Sequence, residues 1–180
     1  GYPDVDDTAE VLLALRRVAT APTPRSAAAV QRGVTWLTGM QSKDGGWGAF
    51  DADNVKRLVT KLPFCDFGEV IDPPAADVTA HVVEMLAYEG MTDHPRARRG
   101  IEWLLAAQEP NGAWFGRWGV NHVYGTGSVL PALAAGRWVG GQVIGLGFVQ
   151  HQAGPRRAAD IDPPGAAIVW GGGGRAIFFA

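Results

Sequence analysis

Residues 32–47 read RGVTWLTGMQSKDGGW, and residues 99–114 read RGIEWLLAAQEPNGAW. Arg, Gly, Trp, Leu, Gln, Gly and the closing Trp coincide without a gap at a step of 67. A second repeat is offset from the first. DDTAEVLLAL, from Asp6, returns as DVTAHVVEML, from Asp77, so that Thr8-Ala9 matches Thr79-Ala80 at a step of 71. YGTGSVLPALAAG, from Tyr124, is a looser third copy. Two interleaved repeats at nearly one period mark a chain of stacked supersecondary units.

Each unit reads as two helices. Residues 8–20 carry Val11, Leu12, Leu15 and Val18 at helical spacing and end before Ala-Pro-Thr-Pro. Ser26 reads as the N-cap of a second helix through about Met40, with Val30, Val34, Trp36 and Leu37 apolar. The pattern recurs over 78–89 and 95–107, and a further helix is expected after Gly127. No segment reads as a strand pair. The long loop from Gly45 to Pro74, rich in Gly, Asp and Pro, has the character of a functional loop. Helical hairpins of this kind predict an all-α fold, an α/α toroid, here incomplete. Equivalent turns of successive inner helices then sit side by side, and the start of the first (Asp6, Asp7, Glu10) should neighbour the start of the next (Asp77, His81).

Composition narrows the class. The 180 residues include 16 basic and 18 acidic side chains, so no basic excess points to nucleic acid. The single Cys65 excludes an internal disulfide and a cysteine metal cluster. No apolar run reaches the length of a spanning helix, and no signal-peptide pattern is present. The sequence opens in mid-motif without Met and reads as a piece of something longer.

Asp4, Asp6 and Asp7 stand directly before the first helix. One acid there is a cap, and Asp7 with Glu10 three residues on resembles a capping box; the helix dipole favours such acids by about 0.3–1 kcal/mol each. Three acids exceed what a cap needs. Crowded, partly buried carboxylates do not all ionise, so one retains a proton near neutral pH and becomes a general acid. His81, placed laterally by the repeat and oriented by Asp77, would hydrogen-bond that acid and stabilise the carboxylate as it forms.

These residues resemble a known family. DVDDTAE, the two copies of R-G-x-x-W-L-x-x-x-Q with G-x-W, LPFCDFGEVIDPPAADVTAH and WFGRWGVNHVYGTG are together similar to bacterial squalene–hopene cyclases, over residues 1 to about 138. The resemblance implies two α/α-barrel domains in a chain several times longer, of which residues 1–138 are part of the catalytic one. It implies squalene as substrate, no cofactor and no metal, and one-sided peripheral association with the cytoplasmic membrane; a homodimer is left open. On the family pattern Asp6 is the proton donor and Asp4 and Asp7 enhance its acidity. His81 hydrogen-bonds the donor, Asp72 and Asp77 are nearby acids, and Tyr124 is linked to the acid centre through water. Phe50, Phe64, Phe67 and Trp118 would face the migrating carbocation. Trp36, Trp47, Trp103 and Trp114 read instead as core, in a clamp joining neighbouring units. Oxidosqualene cyclases have D-C-T-A where this chain has D-D-T-A, and an epoxide opens with a milder acid than an alkene needs; Asp7 therefore favours squalene, giving hopene or its hydrated alcohol.

The chain also departs from the family. His122 stands where Tyr is common. Residues 139–180 lack the next clamp repeat and form an atypical tail, as divergence or a reading-frame change would produce. Three alternatives remain at this level. One is a class II diterpene cyclase, which also uses DxDD. Another is an α/α-barrel zinc protein prenyltransferase ligating through Cys65, Asp66 or Asp77, and His81. The third is a catalytically inactive fragment, since an opened toroid exposes inner helix faces; the isolated 180 residues are expected to be poorly stable and inactive.

Overall fold

The computed structural model describes residues 2–18, 22–55, 71–119, 121–136, 168–171 and 175–178. Five helices run in chain order: α1 (Val5–Val18), α2 (Pro24–Gly39), α3 (Ala76–Tyr88), α4 (Pro95–Ala106) and α5 (Asn121–Gly136). A short antiparallel hairpin, β1 (Ile168–Gly171) with β2 (Arg175–Phe178), pairs Ile168 with Phe178. That strand pair was not expected; the helical class holds for the repeat region.

The helices form two layers. α3 packs between α1 and α5, while α2 covers α1 and α4 covers α3. The central position of α3 shows in its burial: every residue from Ala76 to Leu86 is buried, as befits a helix covered on all sides. α2 and α4 bury one stripe each, Val30, Val34 and Leu37 in one and Ala97, Gly100 and Leu104 in the other.

The 67-residue repeat is visible bond by bond. The Trp47 indole N–H donates to the Leu37 carbonyl at 2.7 Å, and Trp114 donates to Leu104 at 2.6 Å. Gln41 Nε2 donates to the Gly45 carbonyl and Gln108 Nε2 to Gly112, at 2.7 and 2.8 Å. The backbone N–H of each tryptophan is accepted by a threonine of the following inner helix, Trp47 by Thr79 and Trp114 by Thr126. Gln41 also reaches the Arg96 carbonyl, and the Trp103 indole donates to Asp44, so the loop closing one unit is bonded to the outer helix of the next. Both Trp47 and Trp114 are fully buried, whereas Trp36 and Trp103 are partly buried against the core. The glycine of each R-G pair makes the close packing possible. A Cβ on Gly100 would lie 2.7 Å from Val83 Cγ2 and 2.8 Å from the Trp47 ring, and one on Gly33 would lie 2.9 Å from Leu12 Cδ1.

Three sequence expectations change. α2 is capped by Thr23, not Ser26; Ser26 is the third helical residue and completes a capping box with Thr23. α5 begins at Asn121, six residues ahead of Gly127, because tertiary contacts hold a start whose own propensity is poor, with Gly125 and Gly127 in its second turn. On α1 the buried face is Val5, Ala9, Leu12 and Leu13, while Val11, Leu15 and Val18 are exposed. Leu15 lines a shallow cavity with Pro22, Ala27 and Val30, and Val11 and Val18 are more than half exposed.

Candidate active site

The N-terminal ends of α1, α3 and α5 converge with the loops at 47–55, 71–75 and 115–119. α1 is placed by a backbone bond from Val5 N–H to the Ala49 carbonyl, 2.8 Å long. Asp4 is its cap: Oδ1 accepts the Asp7 N–H at 3.0 Å and the Asp4 carbonyl accepts from Thr8. The capping box expected at Asp7 and Glu10 is therefore absent. The Val5–Ala49 bond sets the helix start, so the first acid caps and the second, Asp6, projects from the first turn.

Asp6 meets α3. His81 Nδ1 lies 2.5 Å from Asp6 Oδ1, the lateral contact that the repeat predicted. His81 is buried, and the Asp6 side chain is 21% exposed. Burial disfavours the imidazolium, but the hydrogen bond to Asp6 and the charges of Asp6, Glu10 and Asp77 outweigh it and hold His81 above its ordinary value. The Tyr124 ring stands edge-on to the His81 ring, centroids 6.2 Å apart. Burial, then the charges of Asp6, Asp77 and Glu10, push its hydroxyl upward, so it stays a neutral donor. Asp7 is exposed.

Asp77 does not orient His81 by a hydrogen bond. It is completely buried; Oδ2 accepts the Trp118 N–H at 2.8 Å and Oδ1 the Val78 N–H at 3.1 Å. Asp72 does the parallel job for the facing loop, where Oδ2 accepts the N–H groups of Phe50 and Asp51 at 2.6 and 2.9 Å. Its Oδ1 is buried without a hydrogen-bond partner among the described residues. The two acids thus anchor the backbones of two aromatics that meet edge to face, Phe50 and Trp118, at 5.7 Å and 88°. Phe64, Phe67, Cys65 and Asp66 lie outside the described residues.

Glu84 and Arg117 were not singled out from the sequence, whereas Glu10 and His122 were. Glu10 Oε1 lies 3.7 Å from His81 Nε2. Glu84, one turn beyond His81, is buried and pairs with Arg17 at 2.9 Å. Arg117 stacks over the Trp118 ring at 5.5 Å and donates to the Ile71 carbonyl. His122 bonds Glu109 at 2.9 Å. The i, i+3 spacing of His81 and Glu84 on a buried helix was the available signal for that pair. Among the described residues no three His, Cys, Asp or Glu side chains are grouped to hold a metal, and no helix is long and apolar enough to cross a membrane.

Comparison with known proteins gives the family. The family model for the squalene-hopene cyclase C-terminal domain matches residues 1–141. The chain belongs to the squalene–hopene cyclase family. Its relatives include the squalene–hopene cyclase of Alicyclobacillus acidocaldarius, 53% identical over 135 residues, which covers 74% of this chain and 21% of that protein. The squalene-hopene cyclase of Schizosaccharomyces japonicus is 48% identical over 135 residues, covering 74% of this chain and 20% of that protein. The dammaradiene synthase of the fern Dryopteris crassirhizoma is 38% identical over 143 residues, with 74% and 21% covered. The chain thus spans about a fifth of the length of the curated relatives it matches. The family fold is the α/α toroid, and α1 to α5 form part of such an arrangement of helical hairpins.

Proposed function

We propose that these residues supply the catalytic acid of a squalene cyclase, which starts polycyclisation by protonating a terminal alkene. The observation that carries the reading is the 2.5 Å contact between Asp6 and His81, with Asp77, one turn before His81 on α3, holding the Trp118 of the Phe50–Trp118 pair. An alkene has no basic heteroatom, so its protonation needs a strong acid held away from water. His81 occupies Oδ1 of Asp6, and the proton is given from Oδ2. The O–H bond breaks and its electron pair stays on the carboxylate. The alkene π pair forms the new C–H bond, leaving a tertiary carbocation that the next alkene attacks. The imidazolium at Oδ1 stabilises the carboxylate as its charge develops. Aromatic faces then attract the moving cation, each worth about 2 kcal/mol when desolvated. Phe50 and Trp118, whose backbone N–H groups are held by Asp72 and Asp77, are the candidates for that role, with Phe64 and Phe67 as further ones. Asp4 and Asp7 support the acid, and Asp7 favours squalene over its epoxide. Residues 1–138 are assigned to the catalytic barrel, and the paired Gln–Trp loops are its clamps.

The test is cyclisation by the intact protein. It is incubated with squalene and with oxidosqualene beside an Asp6→Asn variant, and products are analysed by gas chromatography–mass spectrometry. Pentacyclic product from squalene, lost in the variant, is expected. Equal turnover by the variant would reduce Asp6 to a helix residue. Because squalene is wholly hydrocarbon and partitions into bilayers, peripheral membrane association is part of the proposal; co-sedimentation with phospholipid vesicles checks it.

A further inference from the structure

His81 has a carboxylate at each ring nitrogen. Asp6 Oδ1 is 2.5 Å from Nδ1, and Glu10 Oε1 is 3.7 Å from Nε2. Asp6 and Glu10 are one helical turn apart on α1, so a single helix face presents both acids to one imidazole of α3. A neutral imidazole has one N–H and one bare nitrogen, and the bare one would point its lone pair at an acid. Only the imidazolium offers N–H to both sides.

We propose that Glu10 is a positioning residue of the acid centre, its carboxylate holding the Nε2 side of His81 so that the ring stays doubly protonated with Nδ1–H directed at Asp6. The inference rests on the acid reading of Asp6. The 3.7 Å separation is that of an ion pair rather than a good hydrogen bond, so Glu10 acts chiefly through its charge. The groups facing His81 are Asp6 and Glu10 from α1, Asp77 and Glu84 from α3, and Tyr124 from α5. Glu84 is committed to Arg17, Asp77 to the Trp118 and Val78 backbone, and Tyr124 meets His81 through its ring edge. Among the described carboxylates, Glu10 is the one within 4.0 Å of Nε2. A cation on Oδ1 of Asp6 makes the proton on Oδ2 easier to give, so losing Glu10 weakens the acid at the alkaline side first.

The test uses the intact protein with squalene, comparing Glu10→Gln, Glu10→Asp and Asp6→Asn with the unmodified protein across pH. Glutamine keeps the size of a half-exposed side chain and removes its charge. The alkaline limb of kcat should move down by about half a pH unit in Glu10→Gln, the modest size reflecting solvent screening, with KM unchanged. Glu10→Asp, which keeps the charge, should recover most of the alkaline rate. A Glu10→Gln profile that overlays the unmodified one, with Asp6→Asn inactive, overturns the role of Glu10 and leaves the acid reading intact. An equal loss at every pH, not recovered by Asp, would make Glu10 a packing residue and also overturn it. Turnover by Asp6→Asn at the unmodified rate would remove the acid reading, and this inference with it.

Discussion

Asp6 and His81 stand 75 positions apart in sequence and meet at 2.5 Å, the first turn of α1 against the second turn of α3. The contact is a product of the repeat. Two helix starts 71 residues apart are laid side by side, and Glu10 and His81, equivalent in the two copies, come to face one another. The buried polar residues of α3 all find partners across such seams: Thr79 with Trp47, Asp77 with Trp118, His81 with Asp6 and Glu84 with Arg17. The helix is both the centre of the core and the site of the charged groups.

The titrations of this seam predict a stability that declines with pH. Glu84 is raised above its ordinary 4.5, by burial first and despite Arg17, and His81 is raised above 6.5 despite burial. In both cases the folded protein holds a proton that the unfolded chain has released, so stability falls as pH rises through each window. Glu84 acts from 4.5 upward and His81 from 6.5 upward. Urea denaturation of the intact protein between about pH 5 and about pH 9 should show both declines. Glu84→Gln should flatten the first, and His81→Asn the second. Difference curves rising with pH would contradict the assignment.

Asp4 offers a separation of two roles. As the α1 cap it accepts the Asp7 N–H. Asparagine caps as well as aspartate, so Asp4→Asn should change stability by only a few tenths of a kcal/mol, while Asp4→Ala should lose about 1 kcal/mol. If Asp4 also sharpens the acidity of Asp6, Asp4→Asn should slow cyclisation at unchanged stability. Denaturant melts and product yield on the same two variants provide the comparison.

The isolated 180-residue chain should be poorly stable. Val11, Leu15 and Val18 form an apolar stripe on α1 that is 57%, 38% and 80% exposed. Leaving such a stripe in water forgoes roughly 25 cal/mol for each Å² that a neighbour would bury. Dye binding to exposed apolar surface and early proteolysis near α1 are expected, along with no cyclisation of squalene. A cooperative melt with product formation would refute this.

Much of this was legible because the repeat is legible. The step of 67 located both clamp loops, and the step of 71 placed Asp6 beside His81. What stayed hidden depended on neighbours distant in sequence. Any of three acids could cap α1, and the choice fell to Asp4 because the Ala49 carbonyl holds Val5 N–H. Asp77 looked like a partner for His81 on helical spacing, yet its oxygens point to the Trp118 and Val78 N–H groups. The α5 start was masked by glycines whose local preference is for turns. Of the apolar positions read for α1 only Leu12 is buried, because an inner helix carries more than one apolar face.

Asp77 gives a prediction about the aromatics. Removing its carboxylate strands the Trp118 N–H and frees the loop that holds the ring 5.7 Å from Phe50. On the proposed reading, Asp77→Ala should lower cyclisation and shift products toward truncated rings, since a displaced Trp118 would no longer face the migrating cation. Asp77→Asn retains an amide oxygen to accept the same N–H and should preserve more of the product pattern. Product ratios by gas chromatography–mass spectrometry distinguish this from a role on the acid alone, which would lower the rate without altering the pattern.

The clamps should fail unequally when their glycines are filled. An alanine Cβ at Gly100 meets Val83 at 2.7 Å and the rigid Trp47 ring at 2.8 Å, both held in the core. At Gly33 the atoms nearest the Cβ all belong to Leu12, an aliphatic side chain with rotatable bonds rather than a rigid ring. Overpacking typically costs about 1–3 kcal/mol, so Gly100→Ala should fall near the top of that range and Gly33→Ala near or below its bottom. Replacing Thr79 by Val tests the same clamp from the other side. It leaves the buried Trp47 N–H without its acceptor, again a loss of about 1–3 kcal/mol, and Thr126→Val should do the same to Trp114. Urea midpoints of the four variants in the intact protein rank these effects. Equal costs at Gly33 and Gly100 would mean that Trp47 moves more freely than its complete burial implies.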